Sequence, residues 1–182
     1  MSQSIAIVGG TGHLGAAIAW RLARAGRTVT IGSRNADSAR EKAAEIGHGL
    51  TGTGNAEAAA AADIVIVTVP FSAQEATLRD IAPHVAGKLV VDTTVPLVPP
   101  RVMRVQLPQE GSAAVRTQAL LGEGVQVVSA FHNVAAHKLA QDVDVGFLVV
   151  VLVAELCGGC GQWTASPQAT ISRPSAYQSL TH

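Results

Sequence analysis

At 182 residues the chain is long enough for one domain with a substantial core. Its 13 basic and 13 acidic side chains cancel and only 3% of its residues are aromatic, which argues against nucleic acid or an anionic membrane as the main partner. Met1-Ser2-Gln3-Ser4 leads into an apolar run with no basic stretch before it, so no secretory signal is expected and the cytoplasm is the default location.

That first run, Ile5 to Val8, suits a buried parallel strand. Gly10-Thr11-Gly12-His13-Leu14-Gly15 then places G-x-G-x-x-G at the turn into a helix expected over Ala16 to Ala25. The first glycine permits a tight turn, the second lets backbone N–H groups approach a pyrophosphate, and the third lets helix and strand pack closely at the positive end of the helix. A second strand over Val29 to Ile31 ends at Gly32-Ser33-Arg34-Asn35, where an NAD-preferring site offers a carboxylate to the ribose 2′-OH. Here no carboxylate appears before Asp37. A guanidinium can fork onto a 2′-phosphate and stack on adenine, and a hydroxyl can add a donor, so Ser33 and Arg34, joined by Thr11, point to NADP(H).

A helix is expected over Ala36 to Ile46, then a glycine-rich stretch from Gly47 to Asn55 that reads mostly as loop, then a short helix over Ala56 to Ala62. A strand over Ile64 to Val69 precedes a helix over Ser72 to Ile81, where Ser72 and Glu75 have capping-box spacing and Pro83 ends the segment. Further strands over Leu89 to Val91 and Val125 to Ser129 continue the alternation, which implies an α/β fold with a doubly wound, Rossmann-like parallel sheet.

Ligands of such sheets bind beyond the carboxyl ends of the strands. Two loops there, Thr68-Val69-Pro70-Phe71 and Asp92 to Leu97, combine proline with small or apolar side chains that would suit a flat ring. A third, Ser129 to His137, offers His132 and His137. A lone histidine is more often structural than catalytic, and as a pair these two lack i, i+4 helical spacing and a third ligand, so no metal site is expected.

Gly9-Gly10-Thr11-Gly12-His13-Leu14-Gly15, Gly32-Ser33-Arg34, Thr68-Val69-Pro70, Val95-Pro96 and Ser129-Ala130-Phe131-His132-Asn133-Val134 together resemble the NADPH-dependent reductases of the deazaflavin coenzyme F420, over about residues 3 to 145. The resemblance implies an oxidoreductase that moves a hydride between NADP(H) and F420 in either direction, with these two small-molecule redox coenzymes as its partners. It implies that Thr11, Gly12, His13 and Leu14 hold the pyrophosphate, and that Thr11, Ser33 and Arg34 hold the 2′-phosphate. Phe71, Val95, His132, Val134 and Ala136 match positions around the nicotinamide and the deazaflavin; Gly10 and Val69 join the cofactor-binding set. Some relatives carry a lysine shortly after the Ser-Arg pair, where this chain has Ser38. The cofactors carry the chemistry, so no general acid or base is expected, and His132 is assigned a positioning role at the polar edge of the deazaflavin.

A different class stays open. The glycine-rich turn also fits a non-catalytic NADP(H)-binding sensor, or a family member inactivated by loss of its C-terminal part. An active short-chain dehydrogenase does not fit, because Tyr177 is followed by Thr181 where that chemistry needs a lysine.

Composition breaks near residue 146. From Phe147 to His182 only Glu155 and Arg173 are charged, and Phe147 to Leu156 is too short to span a bilayer. The family would continue here with a C-terminal helical part that covers the deazaflavin and contributes to a homodimer. The expected organisation is therefore an NADP(H)-binding domain over 1–146 and a divergent tail over 147–182, arising from a shifted reading frame near Val143 to Phe147 or from natural truncation. Cys157 and Cys160 in that tail lack a second cysteine pair to complete a zinc site and a βαβ context for redox work.

Overall fold

The computed structural model describes residues 3–97, 108–132 and 134–142, together with the backbone of Leu152–Val153. Strand β1 (Ile5–Val8) is buried along its whole length, so its alternating side chains feed two separate cores. Ile5 and Ile7 join Ala17, Ile18 and Ala19 of α1 (His13–Arg24) and Ala39 and Ala43 of α2 (Ala36–Ile46). Ala6 and Val8 join Ala58 and Ala59 of α3 (Asn55–Ala61) and Leu78 and Ile81 of α4 (Phe71–Ile81) on the other face. Each fully buried Ile or Val stabilises the fold by about 1.5–3 kcal/mol relative to exposure, and the apolar run is what makes β1 the centre.

Flanking β1 are β2 (Val29–Ser33) and β3 (Thr51–Gly54) on one side, and β4 (Ile64–Val67), β5 (Leu89–Asp92) and β6 (Gln126–Ser129) on the other. These six pair in parallel, in the order β3-β2-β1-β4-β5-β6. A short strand β7 (Leu152–Val153) closes the far edge, antiparallel to β6 with Leu152 opposite Ser129. Helix α5 (Ala113–Leu121) packs near α4, and α6 (Ala136–Leu139) lies along α1. There the Arg21 guanidinium donates to the carbonyls of Leu139 and Gln141 at 2.7 and 2.6 Å, and Arg24 pairs with Asp142 at 2.9 Å. The doubly wound expectation therefore holds. Among the described residues no helix is long and apolar enough to cross a membrane.

Several boundaries differ from the sequence-based expectation. The stretch expected to be loop contains β3: Gly52 lets the backbone of α2 approach so closely that a Cβ would sit 2.3 Å from the Ala39 carbonyl, and the Thr30 and Thr51 hydroxyls meet at 2.9 Å. Strand β4 stops at Val67 because its partner β1 turns away at Gly9, leaving Thr68 and Val69 in the loop. Helix α4 begins at Phe71 behind Pro70 with no side-chain cap, so the Ser72–Glu75 capping box does not form; Glu75 is drawn instead to Arg79 and Arg116. The 146/147 boundary, Cys157 and Cys160 lie outside the described residues.

Candidate functional site

The strand order reverses at β1 and β4, whose crossovers go to opposite faces, and at such a point open parallel sheets form a crevice beyond the carboxyl ends of their strands. Leaving β1, the chain turns at Gly9, which has φ +72 and so favours glycine; a Cβ there would lie 2.4 Å from the Val69 Cγ1. The Gly10 N–H points back to the Ile7 and Gly32 carbonyls at 3.2 and 3.0 Å. Gly15 sits against the Gly10 Cα and the Thr68 hydroxyl, each 2.6 Å from a hypothetical Cβ, which is the close helix–strand contact expected of the third glycine.

Gly12 is different. It caps α1 with an ordinary φ of −75, and a Cβ there would meet nothing nearer than the Gly9 carbonyl at 3.8 Å. The protein itself thus places no demand for glycine at this position; the open space above it does. No side chain caps α1 and no acidic residue stands in its first turn, as is also true of α4, whereas Asn35 caps α2 and Ser112 caps α5. An uncapped N-terminus with orphan N–H groups beside open space is a fit for a pyrophosphate.

At the end of β2 the Ser33 hydroxyl accepts from the Asn35 N–H at 3.3 Å, and the Asn35 Oδ1 accepts from the N–H groups of Asp37 and Ser38 at 2.9 and 3.3 Å. Arg34, between them, is exposed and makes no ion pair or hydrogen bond among the described residues. The capped turn holds its backbone and leaves its guanidinium free for an anion.

Asn55 supports this side of the site and was not legible in the sequence. It is 4% exposed, at the start of α3, and its Oδ1 accepts the Gly9 N–H at 3.2 Å. The absent side chain of Gly32 leaves it room, since a Cβ there would lie 3.0 Å from that Oδ1. The only available signal was a polar residue following glycine at a loop–helix junction.

The other half of the crevice is built by the ends of β4, β5 and β6. Val69, Phe71 and Val95 are half-buried on its loops, and the Thr68 hydroxyl donates to the Val8 carbonyl at 3.0 Å. Arg116 of α5 lies over the Phe71 ring, 5.4 Å from its centroid, and also pairs with Glu75. The Arg79 guanidinium bonded to Glu75, with Arg116 beside it, holds that carboxyl below the ordinary glutamate value. After β6, Phe131 adopts a left-handed φ of +65, which is strained for a bulky side chain. Exposed His132 follows, its Nε2 3.1 Å from the hydroxyl of buried Ser129.

The crevice edge thus gathers Gly10, Thr11, Gly12, His13, Leu14, Ser33, Arg34, Val69, Phe71, Val95 and His132 on consecutive strand-end loops. Leu14 and Val134 also pack partly against the core beneath α1. Ala136 stands apart on α6, where with His13, Ala16, Trp20, Ile46 and His137 it lines a groove of about 740 Å³ running along α1. That groove follows a helix flank, whereas the strand ends have the uncapped helix and the free guanidinium. Among the described residues no group of three His, Cys, Asp or Glu is placed to hold a metal ion.

A family model described as NADP oxidoreductase, coenzyme F420-dependent, matches residues 4–96. The chain is 39% identical to the F420-dependent NADP reductase of Methanothermobacter thermautotrophicus, over 82% of this chain and 70% of that protein. It is 42% identical to the enzyme of the same name from Methanothermobacter marburgensis, over 75% of this chain and 66% of the relative. A crystal structure of a candidate F420-dependent NADP-reductase from Arthrobacter sp. FB24 superposes with a TM-score of 0.66 at 26% identity, over 75% of this chain and 65% of that one. The chain therefore spans about two thirds of the length of these relatives.

Proposed function

Because the chain belongs to the family of coenzyme F420-dependent NADP oxidoreductases, we propose that it binds NADP(H) at the β1–α1 turn and transfers a hydride between it and F420. The observation that carries the nucleotide half is the uncapped start of α1 beside the open space at Gly12, with the free Arg34 guanidinium at the neighbouring strand end.

On this reading the N–H groups at Thr11 to Leu14 hold the pyrophosphate, while Thr11, Ser33 and Arg34 select the 2′-phosphate by charge-assisted hydrogen bonds. When both coenzymes are bound, C4 of the nicotinamide and the electrophilic carbon of the deazaflavin exchange the hydride directly. The chain's own work is placement. Val69, Phe71 and Val95 offer apolar surface that keeps water from stacked rings, and His132, steadied by Ser129, orients a polar ring edge; Val134, against the core beneath α1, and Ala136, on the groove along α1, are assigned to the ring side by the family resemblance alone. The hydride would be balanced by one proton taken up at the deazaflavin ring nitrogen from solvent, so no side chain is assigned to carry it.

The test is a spectrophotometric assay of the purified chain with NADPH and oxidised F420, beside NADH and a flavin. Turnover with NADPH and F420 alone is the expected result; NADPH binding without turnover would refute the enzyme reading and return to the sensor or the inactivated reductase. Nothing in the relatives described above points to a sensor. The same reading makes the protein a cytoplasmic homodimer acting on small molecules rather than nucleic acid, which light scattering and fractionation check. The drop in charge after Phe147 supports a shifted frame near Val143 to Phe147 and a two-part organisation at 146/147. Resequencing the gene and finding the family's C-terminal motifs missing from every frame would dismiss the shift.

A further inference from the structure

Asp92, the last residue of β5, is fully buried and has no cationic partner among the described residues. Its carboxyl group accepts four hydrogen bonds. Thr94 donates from its N–H and its hydroxyl to Oδ1 at 2.9 and 2.7 Å; the Gln74 amide and the Thr117 hydroxyl donate to Oδ2 at 2.9 and 2.8 Å. These donors belong to three separate elements: the loop that carries Val95, the helix that starts at Phe71, and α5.

The backbone at the same point reaches the remaining loops. Asp92 stands opposite Val67 on one side and Ser129 on the other. Its carbonyl accepts the Ala130 N–H at 3.1 Å, one residue before strained Phe131. Thr93 donates its hydroxyl to the Val67 carbonyl at 2.9 Å, just before the Thr68–Phe71 turn.

We propose that Asp92 is the positioning residue that sets Phe71, Val95 and His132 relative to one another, so that the ring side of the crevice is registered by one buried carboxyl group. Gln74 sharpens the point. Its Oε1 is buried without a partner, while its NH2 group shares two hydrogens among the Asp92 carboxyl group and the two threonine hydroxyls. A core that needed only stability would be served as well by apolar side chains of the same shape, because an unsatisfied buried acceptor is a net cost. A network kept with that cost fixes geometry.

This inference rests on the proposed reaction for its kinetic consequence but not for its structural one, and the experiment separates the two. Asp92→Asn turns one acceptor into a donor, and Thr117→Val removes one donor to the carboxyl group, together with that hydroxyl's contact to the Gln74 amide, while leaving Asp92 in place. Hydrogen exchange on the full chain without ligand should show the protected amides of Ala73, Thr93, Thr94 and Ala130 exchanging together, at least about tenfold faster in Asp92→Asn and about threefold faster in Thr117→Val. Amides of the Gly9–Leu14 turn should be unchanged. With NADPH and F420, kcat should fall at least about tenfold with the KM for NADPH within about twofold, and the deuterium isotope effect from 4-deuterated NADPH should rise as the hydride step becomes limiting. Faster exchange confined to Thr93 and Thr94, or a parallel loss of kcat and NADPH affinity tracking a lower melting temperature, would overturn the proposal. Should Asp92→Asn fail to fold, Thr117→Val decides by the same readouts. A wild-type chain without turnover would refute the enzyme reading, and the exchange pattern would still judge Asp92.

Discussion

Arg34→Ala isolates the choice of nucleotide. The guanidinium is exposed and has no protein partner among the described residues, and the Asn35 cap that shapes its turn does not involve it. Its removal should therefore leave the folded state where it was, with a melting temperature within about 1 °C. On the proposed reading, what is lost is one or two charge-assisted hydrogen bonds to the 2′-phosphate. Such bonds contribute about 1.5–3 kcal/mol, and each 1.4 kcal/mol is tenfold in affinity. Solvent exposure favours the low end, so the dissociation constant for NADPH should rise about 10- to 30-fold while that for NADH stays within about twofold. Fluorescence titration of the reduced nucleotides at low and moderate salt reads both, and the NADPH penalty should shrink as salt screens the pair. Equal weakening of NADH and NADPH would refute the assignment, since it would make Arg34 a general prop of the nucleotide turn.

Other expectations follow from the same geometry. Asn55→Ala removes the acceptor of the Gly9 N–H and should cost about 1–3 kcal/mol in urea unfolding, with weaker NADPH binding as the turn loosens; unchanged stability would show that the N–H finds another partner. Gly12→Ala and Gly15→Ala should part company. The first meets no protein atom closer than 3.8 Å and should fold normally yet lose NADPH affinity; the second drives a Cβ to 2.6 Å from the Gly10 backbone and should lower stability by about 1–3 kcal/mol. A melting temperature that falls equally in both would contradict this division. Asp63 is held below the ordinary aspartate value by the Ser4 N–H and hydroxyl, and Asp142 by its hydrogen bond to Arg24 and that residue's charge. A depressed folded value means that their support is fully present above the ordinary aspartate value and disappears as pH falls through the depressed one. The urea midpoint should therefore decline below about pH 4, and Asp63→Asn should flatten that decline; a midpoint that holds steady on acidification would exclude these contacts as a source of stability.

Residues whose role is set by near neighbours in the chain could be read from the sequence. The five apolar runs that became β1, β2, β4, β5 and β6 announce themselves because both faces of a parallel sheet are covered. Helix α2 ran over the expected span, with Asn35 supplying a local cap. Strand β3 was hidden: Thr51-Gly52-Thr53-Gly54 has no apolar alternation, and its extended form depends on β2 beside it and α2 pressing on Gly52. Helix α5 escaped the same way, its apolar residues lacking a strong stripe between a proline-rich stretch and β6. In the candidate site, the glycine turn and the Ser33–Arg34 pair are each contiguous, so the sequence alone singles them out. Asn55 and the Asp92–Gln74–Thr117 cluster were not, because each role is created by elements far apart in sequence meeting at one strand end.

The seam between β1 and β4 also bears on how such a protein changes over generations. On the proposed reading, nucleotide preference is written on the β2–α2 turn and acceptor preference on the loops after β4, β5 and β6. Substitutions on the two sides share no direct partner, so their effects on binding should combine additively. A lineage can then exchange its electron donor or its electron acceptor one at a time, without passing through a form that handles neither. Gly9 and Thr68 are the exception, for Gly9 packs on Val69 and Thr68 bonds the Val8 carbonyl across the seam, and drift at those positions is where such independence ends.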